Sequence, residues 1–216
     1  MIKHIRTKLT AAAEVAPSQP QVAEMPNFTF AAVMGRKSID EISTDLVLVP
    51  VLCGMNVPRD LHTKSSGVGD FIKAAIKDSG FEGKRGEKLL LDTELPGSTA
   101  SSSRHVLVSG LGRHDQFCAG TAFDVFVQCI EEAIRLNAVR VTIPFAPNRG
   151  TGSCLNMKGM GHKLKAAVAH CFSRLDAPVS LKEVQIYCTA QAKSFIQQGL
   201  AIPVGEGAHN CGGCED

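Results

Sequence analysis

The residues Asn148-Arg149-Gly150-Thr151-Gly152-Ser153-Cys154-Leu155-Asn156 come nearest to chemistry by type and spacing. They lie between a β-branched apolar run and a segment of helical period. A glycine-rich strand-to-helix connection of this kind can converge its backbone N–H groups on an anion at the helix N-terminus. Gly150 and Gly152 would permit close backbone approach, Thr151 and Ser153 carry hydroxyl donors, and Arg149 adds positive charge, with Asn148 and Cys154 at the flanks. A turn that needs glycine for geometry alone explains the same residues with fewer demands. Upstream, Ser65-Ser66-Gly67-Val68-Gly69 opens another helix, and an N-capping serine followed by permissive glycines accounts for Gly67 and Gly69. At the far end, Cys211 and Cys214 of His209-Asn210-Cys211-Gly212-Gly213-Cys214 could place two thiolates on one zinc ion, joined by the His209 imidazole. Three ligands do not close a tetrahedron and no second Cys-x-x-Cys is present, so a Gly-rich tail without metal is the simpler account.

Other charged residues read as solvated faces. Lys158, His162, Lys163 and Lys165 form one basic set on a helix, and Lys84, Arg85 and Lys88 form another. His62, His105, His114 and His170 have no neighbour at a spacing that argues for catalysis. With 23 Lys+Arg against 21 Asp+Glu the net charge is +2, which argues against a dedicated nucleic-acid binder; one Tyr and no Trp argue against base-stacking platforms. No stretch is apolar enough to span a membrane and the N-terminus lacks a signal-peptide core, so a cytoplasmic protein is expected. Six of the eight cysteines are scattered singly, the pattern of buried free thiols rather than of a disulfide framework.

The elements that must position these residues follow from periodicity. Asp45 to Leu52 is a nearly continuous apolar run, as a strand covered on both faces should be, with Pro50 at its end or at a bulge. Phe71, Ile72, Ala75 and Ile76 share a helical face opposite Lys73 and Lys77. Strands are expected at Lys88 to Leu91 and at His105 to Val108, the latter closing at Gly110-Leu111-Gly112. A helix from about Ala119 to Asn137 would bury Phe123, Phe126, Val127, Ile130 and Ile134 and expose Glu131, Glu132 and Arg135. Val139 to Phe145 reads as a strand, Met160 to Leu175 as a helix, Glu183 to Cys188 as the last strand, and a short helix carries Ala192, Phe195, Ile196 and Leu200. Strands alternating with helices at these spacings indicate a three-layer α/β/α sandwich around a mostly parallel or mixed sheet. Residues 1–26 and 203–216 flank this unit, 27–202, as an extension and a tail.

Several stretches resemble a known family. Ser66-Gly67-Val68-Gly69-Asp70-Phe71-Ile72, the segment from Gly80 to Leu91, and Val106-Leu107-Val108-Ser109-Gly110-Leu111-Gly112-Arg113 resemble the macro-like N-terminal domain of leucyl aminopeptidases. Ile143-Pro144-Phe145, Gly150-Thr151-Gly152-Ser153 and Leu181-Lys182-Glu183-Val184 look like the closing half of macro domains, so the matches span roughly residues 44 to 200, in order. The resemblance implies that Gly67 and Gly69 could line a diphosphate and that Asp40 could recognise an adenine. It also implies that peptide hydrolysis belongs to a separate C-terminal domain with motifs such as Asn-Thr-Asp-Ala-Glu-Gly-Arg, which do not occur here. Aminopeptidase activity is therefore not expected. The Asn-rich loop of macro-domain hydrolases is absent too, so ADP-ribosyl hydrolase activity ranks third. The leading expectation is a non-catalytic macro-like module for a small anionic ligand such as a nucleotide or an ADP-ribose derivative. The runner-up is a structural or assembly domain, partnering itself or an aminopeptidase.

Overall fold

The computed structural model describes residues 24–32, 43–54, 68–92, 103–145 and 156–205. In chain order the elements are β1 (Asn27–Ala32), β2 (Thr44–Leu52), α1 (Val68–Ser79), β3 (Lys88–Asp92), β4 (Ser103–Gly112), α2 (Ala119–Arg135), β5 (Arg140–Phe145), α3 (Met157–Phe172), β6 (Glu183–Cys188) and α4 (Ala190–Ala201), with a short 3-10 turn at His114–Gln116. The strands form one sheet in the order β1-β6-β5-β2-β4-β3. All neighbours are parallel except β3 and β4, so the sheet is mixed and the carboxyl ends of five strands lie along one rim.

Register explains the layering. Phe28, Val184, Val141 and Leu46 are cross-strand neighbours on one face. That face packs against α2, α3 and α4 through a core that includes Leu48, Leu107, Ile130, Ile143, Leu164, Ile186 and Ile196. On the other face Val47, Val49, Val51, Val106 and Val108 meet Ile72 of α1 and Phe81. β2 is apolar on both sides because helices cover both of its faces. The chain is thus the expected three-layer α/β/α sandwich.

Several local readings change. No element is expected from the sequence before Asp45, yet β1 pairs with β6 along its whole length; the alternating Phe28 and Phe30 are the signal, and both pack on the core. β4 starts two residues earlier than expected, at Ser103, and closes at Gly112 as the Gly110-Leu111-Gly112 signal indicates, holding Gly110 where another backbone lies too close for a side chain. Pro50 sits inside β2 opposite Ser109, immediately before the register shift at Val51/Leu52. α2 stops at Arg135, and Asn137 adopts a left-handed φ of 53°, a helix C-terminus signal. α3 begins one turn before Met160 and ends before Leu175.

Two residues read as solvated are buried. His162 is enclosed where α3 meets α4, and its Nε2 has no hydrogen-bond partner among the described residues. Glu132 is also buried, because its carboxylate is held from two sides, by Arg135 Nε at 2.7 Å and by Lys88 Nζ at 3.5 Å. Burial raises the Glu132 pKa, but Arg135 and Lys88 more than offset this and leave it below the usual range. Glu183 behaves alike: burial raises its pKa, while Thr29 Oγ1 at 2.6 Å and Arg140 Nε at 2.6 Å lower it to a net depressed value. Both folded-state values lie below the unfolded ones. Their stabilisation is therefore present at neutral pH and is lost as pH falls through the depressed values, below the ordinary Glu pKa of about 4.3. Urea midpoints should fall on acidification from pH 6 to pH 3, and Glu132→Gln should flatten that fall; a wild-type midpoint independent of pH contradicts this account.

Candidate functional site

β2 and β5 lie side by side and parallel, so Leu52 and Phe145 end at the same rim. The chain leaving β2 returns as α1, on the face of Val47 and Val49. The chain leaving β5 returns as α3, on the opposite face with Leu46 and Leu48. Adjacent parallel strands whose connections depart to opposite faces mark the topological switch point of an open α/β sheet, where ligands of such folds bind. The two glycine-bearing segments of the sequence, 65–69 and 148–156, belong to these two connections.

The described residues brace both exits. Phe145, the last residue of β5, stacks on Phe126 of α2 with ring centroids 5.6 Å apart. Asn156 is the N-cap of α3, its side-chain oxygen accepting the Gly159 N–H at 2.8 Å. Beyond β2, Cys53 N–H donates to Gly112 O at 2.9 Å, and Gly112 N–H donates to Gly83 O at 2.8 Å. Glu87 ties down the segment that supplies Gly83: its carboxylate accepts Glu82 N–H and Lys84 N–H, while its carbonyl accepts Gly110 N–H. Backbone therefore seals the rim on the β4 side of β2.

The charged groups on that side are already engaged. Arg85 binds Asp124 at 2.7 Å, Lys84 pairs with Glu82, and Arg113 pairs with Asp115 at 3.0 Å, which holds the Asp115 carboxyl below its ordinary range. Lys84, Arg85 and Lys88 are exposed, as the sequence suggests, but each has a carboxylate partner. Among the described residues, the buried thiols are poor nucleophiles. Burial pushes Cys129 far up and Cys171 up to about 11, and it raises Cys188 as well. Cys53 and Cys118 are half-buried.

Gly69 falls in the first turn of α1. Gly67, Asn148, Arg149, Gly150, Thr151, Gly152, Ser153 and Cys154 lie outside the described residues, as do Asp40 and the tail residues His209, Cys211 and Cys214. Among the described residues, no group of three His, Cys, Asp or Glu side chains could hold a metal ion, and no helix is long and apolar enough to cross a membrane. Sequence reasoning overlooked Asn156 as a cap, although an Asn directly before a helical pattern signals one. It also overlooked the bracing by Glu87, which only the fold reveals.

No protein-family model and no curated protein sequence matches the chain. Solved structures do. A mutant of tomato leucine aminopeptidase superposes with a TM-score of 0.58 at 14% identity, covering 85% of this chain and 38% of that one. The Trypanosoma brucei macrodomain in complex with ADP gives 0.56 at 10% identity, over 85% of this chain and 72% of that one. The Oceanobacillus iheyensis macrodomain with ADP gives 0.52 at 13% identity, over 75% and 85%. The fold is accordingly macrodomain-like, the fold found also in the macro-like region of leucine aminopeptidase. This chain spans less than two-fifths of the tomato enzyme's length.

Proposed function

We propose that this chain is a non-catalytic macro-like module that binds a small anionic ligand, a nucleotide or ADP-ribose derivative, in the crevice between the connections containing 65–69 and 148–156. One observation carries the reading: these connections leave adjacent parallel strand ends, β2 and β5, for opposite faces of the sheet. Two of the structures that share the fold were solved with ADP, which supports the ligand class. Gly150 and Gly152 supply close backbone approach, Thr151 and Ser153 hydroxyl donors, and Arg149 a charge; Gly67 and Gly69 line the facing side.

Calorimetry and thermal shift with ADP-ribose, ADP and AMP test the proposal. A saturable heat is expected with at least one of them, and Gly152→Val should weaken it at least about tenfold by blocking backbone approach while leaving the melting temperature of the free protein unchanged. Neither heat nor thermal shift with any of the three overturns it.

The second reading is an assembly domain, favoured by the tomato aminopeptidase likeness, in which a chain with this fold accompanies a larger remainder. Light scattering separates the two: a self-associating chain without nucleotide affinity favours assembly, and a monomer that binds nucleotide favours the ligand module.

A further inference from the structure

His162 holds the one buried side-chain polar atom, among the described residues, that lacks a hydrogen-bond partner: the residue is 6% exposed and its Nε2 is unpaired. It stands where two helices touch through backbone. A Cβ on Gly199 of α4 would lie 2.8 Å from the His162 amide nitrogen, and one on Gly161 of α3 would overlap the Ile196 carbonyl oxygen. Helices this close cannot admit a counter-ion beside the ring without parting. The charged side chains of both helices are cationic, and neither helix contains an Asp or Glu. Lys158 and Lys165, at i−4 and i+3, share the His162 side of α3, and Lys165 Nζ is tied to Ile202 O at 2.9 Å. Lys163 and His170 lie further round the helix, His170 against Phe123 of α2, and α4 adds only Lys193, over the Phe30 ring. α2 meets α3 on the opposite side, at Cys171, nine residues and so half a turn of rotation from His162. The α2 carboxylates Asp124, Glu131 and Glu132 are bound there by Arg85, Arg174 and Arg135.

We infer that the α3–α4 crossing is an acid-sensitive latch, closed while the His162 imidazole is neutral and loosened when the ring takes a second proton. A neutral imidazole can leave one nitrogen bare. In the imidazolium both nitrogens are donors, so Nε2 would need an acceptor that neither helix supplies, and Lys158 and Lys165 would oppose the added charge. The extra proton is therefore bound by the opened crossing and not by the closed one. Closure is favoured above the ordinary histidine range, about pH 6.5, and is lost as pH falls through it. The loss expected from Glu132 and Glu183 sets in lower, below about pH 4.3, so the two are separable. The latch does not depend on what binds in the crevice at the β2 and β5 exits.

Hydrogen exchange on the full chain, at pH 7.5 and pH 5.5 and corrected for the intrinsic pH dependence of amide exchange, tests this. The amides of α4 and of the first half of α3 should open more readily at pH 5.5, by up to about tenfold, the most that one proton bound only in the opened state can give over this interval. Amides in β2 and β4 should change little. His162→Gln and His162→Leu remove the titrating ring by different chemistry, and whichever of them folds should show no acceleration at pH 5.5. The inference is overturned if wild-type α3 and α4 open equally at both pH values, if β2 and β4 accelerate as much as they do, or if the variants accelerate as wild type does.

Discussion

Gly110→Ala should destabilise the protein by about 3 kcal/mol or more, a large share of the roughly 5–15 kcal/mol that holds a domain folded. A Cβ at this position would collide with the Lys84 carbonyl oxygen and stand 2.7 Å from the Gly83 carbonyl carbon. Both are backbone, so no rotamer change relieves the clash. Nor can the segment swing away, because Gly112 N–H binds Gly83 O, Gly110 N–H binds Glu87 O, and the Glu87 carboxylate holds the Lys84 amide. Gly120→Ala is the matched control: it lies in α2, its nearest neighbour would be Cys118 Sγ at 3.6 Å, and helix propensity alone predicts a gain of up to about 1 kcal/mol. Urea unfolding followed by circular dichroism reads both. Equal midpoints for Gly110→Ala and wild type would mean that the sealed rim between β2 and β4 does not exist.

Gly199→Ala sets two effects against each other. Propensity favours alanine inside α4 by about 1 kcal/mol. Against it, the new methyl would overlap the Lys158 carbonyl oxygen and sit 2.8 Å from the His162 amide nitrogen, on the backbone of α3. Overpacking against backbone costs about 1–3 kcal/mol or more, so the clash should prevail and the midpoint should fall. Gly161 makes the reciprocal approach, to the Ile196 carbonyl, so separating the helices here loosens both at once. The start of α3 should shift with them. If the crevice reading holds, the variant should also bind ADP-ribose more weakly than wild type under conditions where both are folded. A rise in stability would show that the helices are not in backbone contact.

How far the sequence could be read depended on how locally each feature is encoded. The apolar run of β2, the two-sided pattern of α1, and the alternation of Val184, Ile186 and Cys188 in β6 were legible, because periodicity records which faces are covered. β1 escaped notice because its sheet partner is more than 150 residues away, and two Phe in six residues are a weak signal without that partner. Glu132 and His162 were misread for a related reason. Each is a polar residue directly beside a charged one in the sequence, Glu131 or Lys163, and its burial comes from a packed helix or from a cation on another element. The candidate site was legible as residue types at 65–69 and 148–156, and the cap at Asn156 was there to be found.

The sequence by itself determined the layered α/β architecture and the two glycine-bearing connections, since both follow from local composition and period. Only the tertiary structure decided that these connections start from adjacent strands and leave for opposite faces. Strand order is set by long-range pairing and by which face each helix covers, and neither leaves a mark within a short window of residues. For the same reason the close contacts at Gly110 and Gly199 are invisible in the sequence, where a glycine required by a neighbouring backbone looks like any other.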